Sequence, residues 1–287
     1  DKLEFCEESG LFLHFEMVPD RLPEELKLLI KKFPPGCLQF EIGIQTWNPE
    51  VAALVSRRQD FQKVEENLRF LRHETTVHTH VDLIGGLPGE TLESFQVGFD
   101  RLAMLKPDEI QVGVLKRLKG TPIIRHDKNW EMVYSLTPPF QILSTKTMPA
   151  EIIEKFNHFA KFWDLISNRG QFKLTCELIS EYCSQNKISL FGFYWQMSEF
   201  LVNYHKKTYS IPLDELFKSV LEYLQEFPMN SLLTLNRDYH RSERYYTPAF
   251  LRLPYEMTPP ANQLSNTGNF QAGTKSKIPK RQSQHLS

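Results

Sequence analysis

Up to Gly120 the hydrophobic pattern switches repeatedly between a strand period and a helix period. Leu11–Val18 (Leu-Phe-Leu-His-Phe-Glu-Met-Val) reads as a strand. Pro19 and Asp20 then open a helix through Glu24–Phe33, with Pro23 near its first turn and Pro34-Pro35-Gly36 as the stop. Cys37–Gln45 is the second strand. Asn48-Pro49-Glu50 starts a short helix to Arg57: Asn caps, Pro takes the first helical position and Glu suits the dipole. Asp60 caps the next helix, to His73, with Phe61, Val64, Leu68 and Leu71 three and four apart. Thr76–Ile84 is the third strand and Gly85–Glu90 a loop. Thr91 caps a helix to Lys106, ended by Pro107-Asp108, and Glu109–Leu118 is the fourth strand.

Strands alternating with helices predict βαβ units, a parallel sheet and right-handed crossovers. After Gly120 the pattern changes. Residues 121–148 read as irregular. Pro149–Ser167, Phe172–Ser184, Leu190–Lys206 and Leu213–Phe227 read as helices, and 228–257 as short strands or extended packing. From Thr258 onward Pro, Asn, Gln, Ser, Gly and Lys dominate without an acidic residue, the composition of a disordered tail. The expected division is therefore 1–120, 121–257 and 258–287. The expected class is α/β, with a mainly helical C-terminal domain.

Charge changes the picture only by exclusion. With 34 basic and 35 acidic residues the formal charge is -1, so nucleic acid or an anionic membrane is not the expected partner. No apolar run reaches the length of a membrane span, and no signal peptide is evident. Cys6, Cys37, Cys176 and Cys183 are scattered, without metal-ligand spacing. That suits a reducing cytoplasm and gives no metal site within the chain. The chain begins at Asp1 in what reads as element material, so it is expected to be part of a longer protein.

Parallel βα architectures bind ligands at the carboxyl ends of their strands. There the sequence places Glu16, Gln45, Asp82, and the cations Lys116, Arg117 and Lys119. Glu16 is suited to an amine, or to an ordinary ion pair with a helix. Gln45 closes Glu41-Ile-Gly-Ile-Gln, where a glycine within the strand implies close approach by a ligand or a neighbouring strand. Glu41 points to either face. Arg57 carries a fork for a carboxylate, or simply answers a helix C-terminus. Asp82 precedes Gly85-Gly86-Leu-Pro-Gly89, which matches neither phosphate-binding fingerprint. Its glycines would bring backbone against a flat ring, or serve the turn alone. His78 and His80 share a strand face. With His14 they are candidate metal ligands or interior histidines. No catalytic nucleophile stands out.

Phe40–Thr91, with Glu-Ile-Gly-Ile-Gln-Thr, Asn-Pro-Glu-Val, Ser-Arg-Arg-Gln and Asp-Leu-Ile-Gly-Gly-Leu-Pro-Gly-Glu-Thr, resembles the C-terminal half of the radical S-adenosylmethionine (SAM) superfamily. Oxygen-independent coproporphyrinogen dehydrogenases carry a similar series. The likeness is greatest to cobalamin-binding-domain radical SAM proteins with a helical C-terminal domain, and extends through Asp108–Gly120 and Pro138-Pro139-Phe140-Gln141 to Asn168-Arg169-Gly170.

The resemblance implies the second half of a partial (β/α)₆ TIM-like barrel. Glu16 and Arg57 would hold the methionyl amine and carboxylate, and Gln45 would line the same cleft. Asp82 with the Ile84–Gly85 backbone would meet ribose and adenine. A [4Fe-4S] cluster would cleave SAM reductively to a 5′-deoxyadenosyl radical, and cobalamin use stays open. The C-x-x-x-C-x-x-C cluster motif is absent from this sequence. Its ligands, and the first barrel strands, are expected upstream in the missing N-terminal portion, the expected partner. This fragment alone is expected to be inactive. The substrate, a small molecule, is unread. The alternative is a non-catalytic helical interaction module attached to a degenerate βα barrel.

Overall fold

A computed structural model describes residues 11–241 and 246–253. Cys6 and the tail expected from Thr258 lie outside the described residues. Four strands, β1 (Leu13–Met17), β2 (Leu38–Gln45), β3 (His78–Gly85) and β4 (Glu109–Val114), form one parallel sheet in sequence order. Helices α1 (Glu24–Ile30), α2 (Pro49–Leu54), α3 (Phe61–Glu74) and α4 (Leu92–Met104) make the crossovers.

The helix starts follow the local chemistry. Asn48 accepts from the amides of Glu50 and Val51 at 3.0 and 3.2 Å, and Asp60 from Gln62 and Lys63 at 3.1 and 3.2 Å. Thr91 accepts from Ser94 at 3.1 Å. Each side-chain oxygen satisfies amides that the helix cannot.

The two faces of the sheet differ. Leu38, Phe40, Ile42, Ile44, Val81, Leu83 and Ile110 point under the helices and join one core with Val64, Leu68, Leu71, Phe99 and Leu102. The other face carries His14, Glu16, Gln39, Glu41, His78, His80, Asp82, Glu109 and Gln111. Register aligns these in rungs: His14–Gln39–His78, then Glu16–Glu41–His80–Glu109, then Gly43–Asp82–Gln111. Parallel sheets covered on both faces are apolar throughout. Here a period of two survives because one face is polar. The four strands form an open sheet, with β1 and β4 at its edges.

The C-terminal half is mainly helical: α5 (Ala150–Trp163), continuing as a wider π turn over Asp164–Asn168, then α6 (Lys173–Asn186), α7 (Leu190–His205), α8 (Leu213–Leu224) and α9 (Ser231–Arg241). Two expectations are corrected. Residues 121–148 are not wholly irregular: β5 (Val133–Tyr134) and β6 (Ile142–Ser144) form an antiparallel pair. Strands of two and three residues are too short to display an alternation. Within 228–257, Ser231–Arg241 is a helix rather than a strand. Its inward side includes Asp238, whose carboxylate caps α6 by accepting from Leu174 and Thr175 amides at 3.0 and 2.8 Å. Asp238 shares that side with the buried Leu235 and Tyr239.

The two halves are packed together by aromatic rings. Phe95 meets Phe156 edge-on at 4.7 Å, Phe99 meets Trp163 at 4.8 Å, and Phe99 lies 5.7 Å from Phe191. The outer edge of β4 is closed by side chains. Asn168 donates to the Ile110 carbonyl at 2.9 Å and accepts from its amide at 3.3 Å, while the Trp163 indole donates to the same carbonyl at 2.7 Å. At Ile110 the backbone groups that a further strand would pair with are therefore already taken. Among the described residues no helix is long and apolar enough to cross a membrane.

Candidate functional site

The carboxyl ends of β1, β2 and β3 border a cleft of about 510 Å³. Glu16, Gln45, Arg57 and Asp82, which come from four separate segments, all line it. The volume is within the range of small-molecule sites. Both signs of charge are present: Glu16, Asp20, Glu41 and Asp82 against Arg21, Arg57 and Arg58. A zwitterion is the ligand such a lining suits.

The path of β2 explains the geometry. After Gly43 the register with β3 jumps, so that Gly43 pairs with Asp82 but Gln45 with Leu83. Gln45 takes φ 71°, the left-handed region that a side chain enters at a cost. The bulge turns the carboxamide back over the strand. A Cβ on Gly43 would sit 2.7 Å from Gln45 Nε2 and 3.4 Å from Arg57 Nη2. The close approach predicted at Gly43 is therefore made by these two side chains. Arg57 Nη1 donates to the Gly43 carbonyl at 2.6 Å. Burial lowers its pKa and the nearby Asp82 carboxylate raises it. Guanidinium stays charged, with most of its donors unspent. Gln45 Oε1 and Gln59 Oε1 are buried without a hydrogen-bond partner. Buried acceptors of this kind ordinarily find a donor, so the cleft contains an unmet demand for one.

Ile84 and Gly85, whose backbone is expected to meet ribose and adenine, are not among the residues that line this cleft. Ile84 lies on the next rung beyond Asp82, opposite Gly113. A Cβ on Gly85 would fall 2.3 Å from the Phe156 ring, one on Gly86 2.7 Å from Ile142, and one on Gly89 3.0 Å from Trp130. The flat ring approached by this glycine run is a phenylalanine of α5. Lys116 and Arg117 are also drawn away. Lys116 bridges to Gln141, and Arg117 reaches Asp127 at 3.4 Å and stacks 5.4 Å from the Tyr134 ring. The histidines take carboxylate partners: His14 with Glu41 at 3.1 Å, His78 with Glu109 at 3.2 Å, His80 with Asp82 at 3.4 Å. Among the described residues no three metal-ligating side chains converge. Burial pushes the Cys176 and Cys183 thiols up to about 11.

A network not anticipated from the sequence sits behind the cleft. The Thr46 hydroxyl, next to Gln45, donates to the Glu90 carboxylate and accepts from the Asn48 amide at 3.0 Å. Thr147 from the helical half donates to the Glu90 carbonyl at 2.7 Å. Burial raises the Glu90 carboxyl above its ordinary range, against hydrogen bonds from Ser94 and Thr46. The signal was present in Glu-Ile-Gly-Ile-Gln-Thr, which ends in Thr46, and Leu-Pro-Gly-Glu-Thr, whose fourth residue is its partner Glu90.

Residues 1–102 match the sequence profile described as the Radical SAM superfamily, and residues 128–282 the one described as Protein of unknown function (DUF4080). Residues 1–102 thus carry a radical SAM superfamily domain, and through the more than half of it that the second profile covers the chain belongs to the DUF4080 family. It is 38% identical over 88 residues to the oxygen-independent coproporphyrinogen III oxidase of Escherichia coli, covering 31% of this chain and 19% of that one. It is 33% identical over 105 residues to the ribosomal protein uS12 methylthiotransferase RimO of Pelobacter propionicus, covering 36% and 23%. The chain thus spans about a fifth of these relatives' lengths. Solved structures with local similarity include the E. coli coproporphyrinogen III oxidase (25% identity, TM-score 0.39, 52% of this chain and 31% of that). The radical SAM methyltransferase TsrM of Kitasatospora setae is another (22% identity, TM-score 0.36, 39% and 22%).

Proposed function

We propose that the cleft binds the adenosyl amino acid SAM, as part of a radical SAM enzyme. The observation that carries the reading is the convergence of Glu16, Gln45, Arg57 and Asp82 on one cleft with charges of both signs. The buried Gln45 Oε1 that lacks a donor supports it. In this reading Arg57 holds the methionyl carboxylate and Glu16 its ammonium. Asp82 accepts from the ribose, and Gln45 accepts a ligand hydrogen bond. When bound beside a reduced iron–sulfur cluster, SAM supplies radical chemistry through cleavage of its sulfonium. The described residues do not fit that cluster: Cys37 and Cys183 are buried, and Cys176 and Cys183 hold their protons. Its ligands belong to the preceding portion of the protein. That portion would attach at β1, since Asn168 and Trp163 seal the far edge. Phe15 and Val18, 52% and 54% exposed, and Leu28 and Leu29 of α1 leave apolar surface on that side. The helical half, beyond residue 120, walls the β4 side and with the polar sheet face bounds the substrate space.

The test is calorimetric titration of the chain with S-adenosylhomocysteine, which needs no cluster. Saturable 1:1 binding is expected, weakened by roughly 1–3 kcal/mol, or about 5- to 150-fold, in Asp82→Ala. Binding unaffected by Asp82→Ala and by Arg57→Ala would overturn the assignment.

A further inference from the structure

One element of the polar sheet face reaches the cleft without lining it. His80 lies one rung below Asp82 on the same side of β3. Its Nε2 is 3.4 Å from Asp82 Oδ1 and 3.0 Å from Gln111 Oε1 on β4. The His80 side chain is 15% exposed and that of Asp82 21%. The pair is therefore mostly shielded, where a hydrogen bond between charged groups is worth more than in water. The groups facing His80 from each neighbouring strand are acidic or amide. Glu41 of β2 and Glu109 of β4 share its rung, Asp82 and Gln111 occupy the rung above, and His78, below, is itself paired with Glu109. His14, on β1, is paired with Glu41. Arg57, the cation near Asp82, sits on the cleft side.

We propose that His80 is a positioning residue for the cleft: from below, it fixes the Asp82 carboxylate through one oxygen, leaves the other for the ligand, and makes ligand affinity follow its own charge. The inference rests on the adenosyl reading of the cleft and adds to it a residue outside the lining. Gln111 is the second half of the device. Its Oε1, 3.0 Å from Nε2, holds the imidazole at the height of Asp82 and shares the Nε2–H without adding a charge. Burial pulls the His80 pKa down. The Asp82 hydrogen bond, the Glu109 and Asp82 charges and the Gln111 hydrogen bond together outweigh that, leaving it above the ordinary histidine value. His80 thus keeps its charge to higher pH than an ordinary histidine and loses it as pH rises further. Neutral imidazole has a single Nε2–H to share between Gln111 Oε1 at 3.0 Å and Asp82 Oδ1 at 3.4 Å, and without charge its hold on Asp82 weakens by roughly half or more.

Two measurements on the full chain decide the matter. The first is an NMR titration of the His80 imidazole. Its midpoint is expected above the free histidine value of about 6.5 and should fall by at least about half a pH unit in Asp82→Asn. The second is S-adenosylhomocysteine affinity against pH. The wild type should bind about three- to tenfold more weakly at pH 8 than at pH 6 (a change of ~0.7–1.4 kcal/mol). His80→Gln, whose amide donates without titrating, should restore binding with a flat profile, whereas His80→Leu should bind weakly at both pH values. A wild-type affinity that ignores pH, or His80→Leu binding like the wild type, overturns the positioning role while leaving the adenosyl reading standing. Absence of wild-type binding at every pH overturns the adenosyl reading and this inference with it. The imidazole titration then still decides whether the His80–Asp82 pair exists.

Discussion

Gly85→Ala is the most informative single substitution, because one methyl group tests how the two halves of the chain meet. The added Cβ would lie 2.3, 2.4 and 2.9 Å from three atoms of the Phe156 ring. Carbon contacts prefer 3.5–4.0 Å, so the ring must retreat by about 1 Å. It has nowhere to go. Phe156 is fully buried, packed edge-on against Phe95 at 4.7 Å, with Phe159 at 6.1 Å and Trp195 at 6.4 Å. Overpacking of this kind costs about 1–3 kcal/mol or somewhat more. Truncating the ring by Phe156→Ala should cost about 3–5 kcal/mol through lost burial and a cavity. The two changes should not add. In the Phe156→Ala background the new methyl occupies part of the cavity, and Gly85→Ala becomes neutral or stabilising. The assay is a double-mutant cycle from urea denaturation. A coupling energy of at least about 2 kcal/mol is expected. Gly85→Ala within about 0.5 kcal/mol of wild type, or additive effects, would refute the packing of α5 on the end of β3.

Three further predictions concern stability. Asn168→Ala removes both hydrogen bonds to Ile110 at the outer edge of β4. It should cost about 2–4 kcal/mol and expose that edge, so a stable, monodisperse variant by denaturation and light scattering would contradict the edge-cap role. Asp238→Ala strips the α6 amides of Leu174 and Thr175, and the Thr175 hydroxyl at 2.7 Å, of a fully buried acceptor. A loss of about 3 kcal/mol in urea unfolding is expected, and one under about 1 kcal/mol would count against the cap. Glu90, whose folded pKa burial raises, gives a pH signature. As pH rises the unfolded chain releases this proton first. The contribution of Glu90 is therefore complete below the unfolded carboxylate range near pH 4 and is lost as pH climbs through the folded value. Glu90→Gln should flatten the fall in stability as pH rises above the ordinary carboxylate range near pH 4, relative to wild type, and parallel profiles would contradict it.

Much of the fold was legible because its causes are local. Asn48, Asp60 and Thr91 announce their helices by the amides they cap. Each strand of the sheet shows its period of two because one face stays polar. The cleft residues were legible only jointly, as motif members, since Glu16 and Arg57 singly look like ordinary surface charges. What stayed hidden depends on partners distant in sequence. Gly85 looks like a ligand-facing glycine until Phe156, seventy-one residues later, occupies the space. Asp238 faces inward on its own helix because it serves the start of another. Asn168 stands in a visible motif, Asn-Arg-Gly, yet its function as the cap on β4 exists only once the sheet has an edge. His80 could be placed on a face with His78, but its coupling to Asp82 and Gln111 needs the register of β3 with β4.

The central claim is that the ends of β1, β2 and β3 form one receptor for an adenosyl amino acid. A crystal structure of the chain soaked with S-adenosylhomocysteine tests it most directly. The account predicts the ligand's carboxylate on Arg57, its ammonium on Glu16 and its ribose on Asp82, with Gln45 Oε1 accepting a hydrogen bond. Ligand density elsewhere on the molecule, with Gln45 Oε1 still lacking a donor, would contradict it.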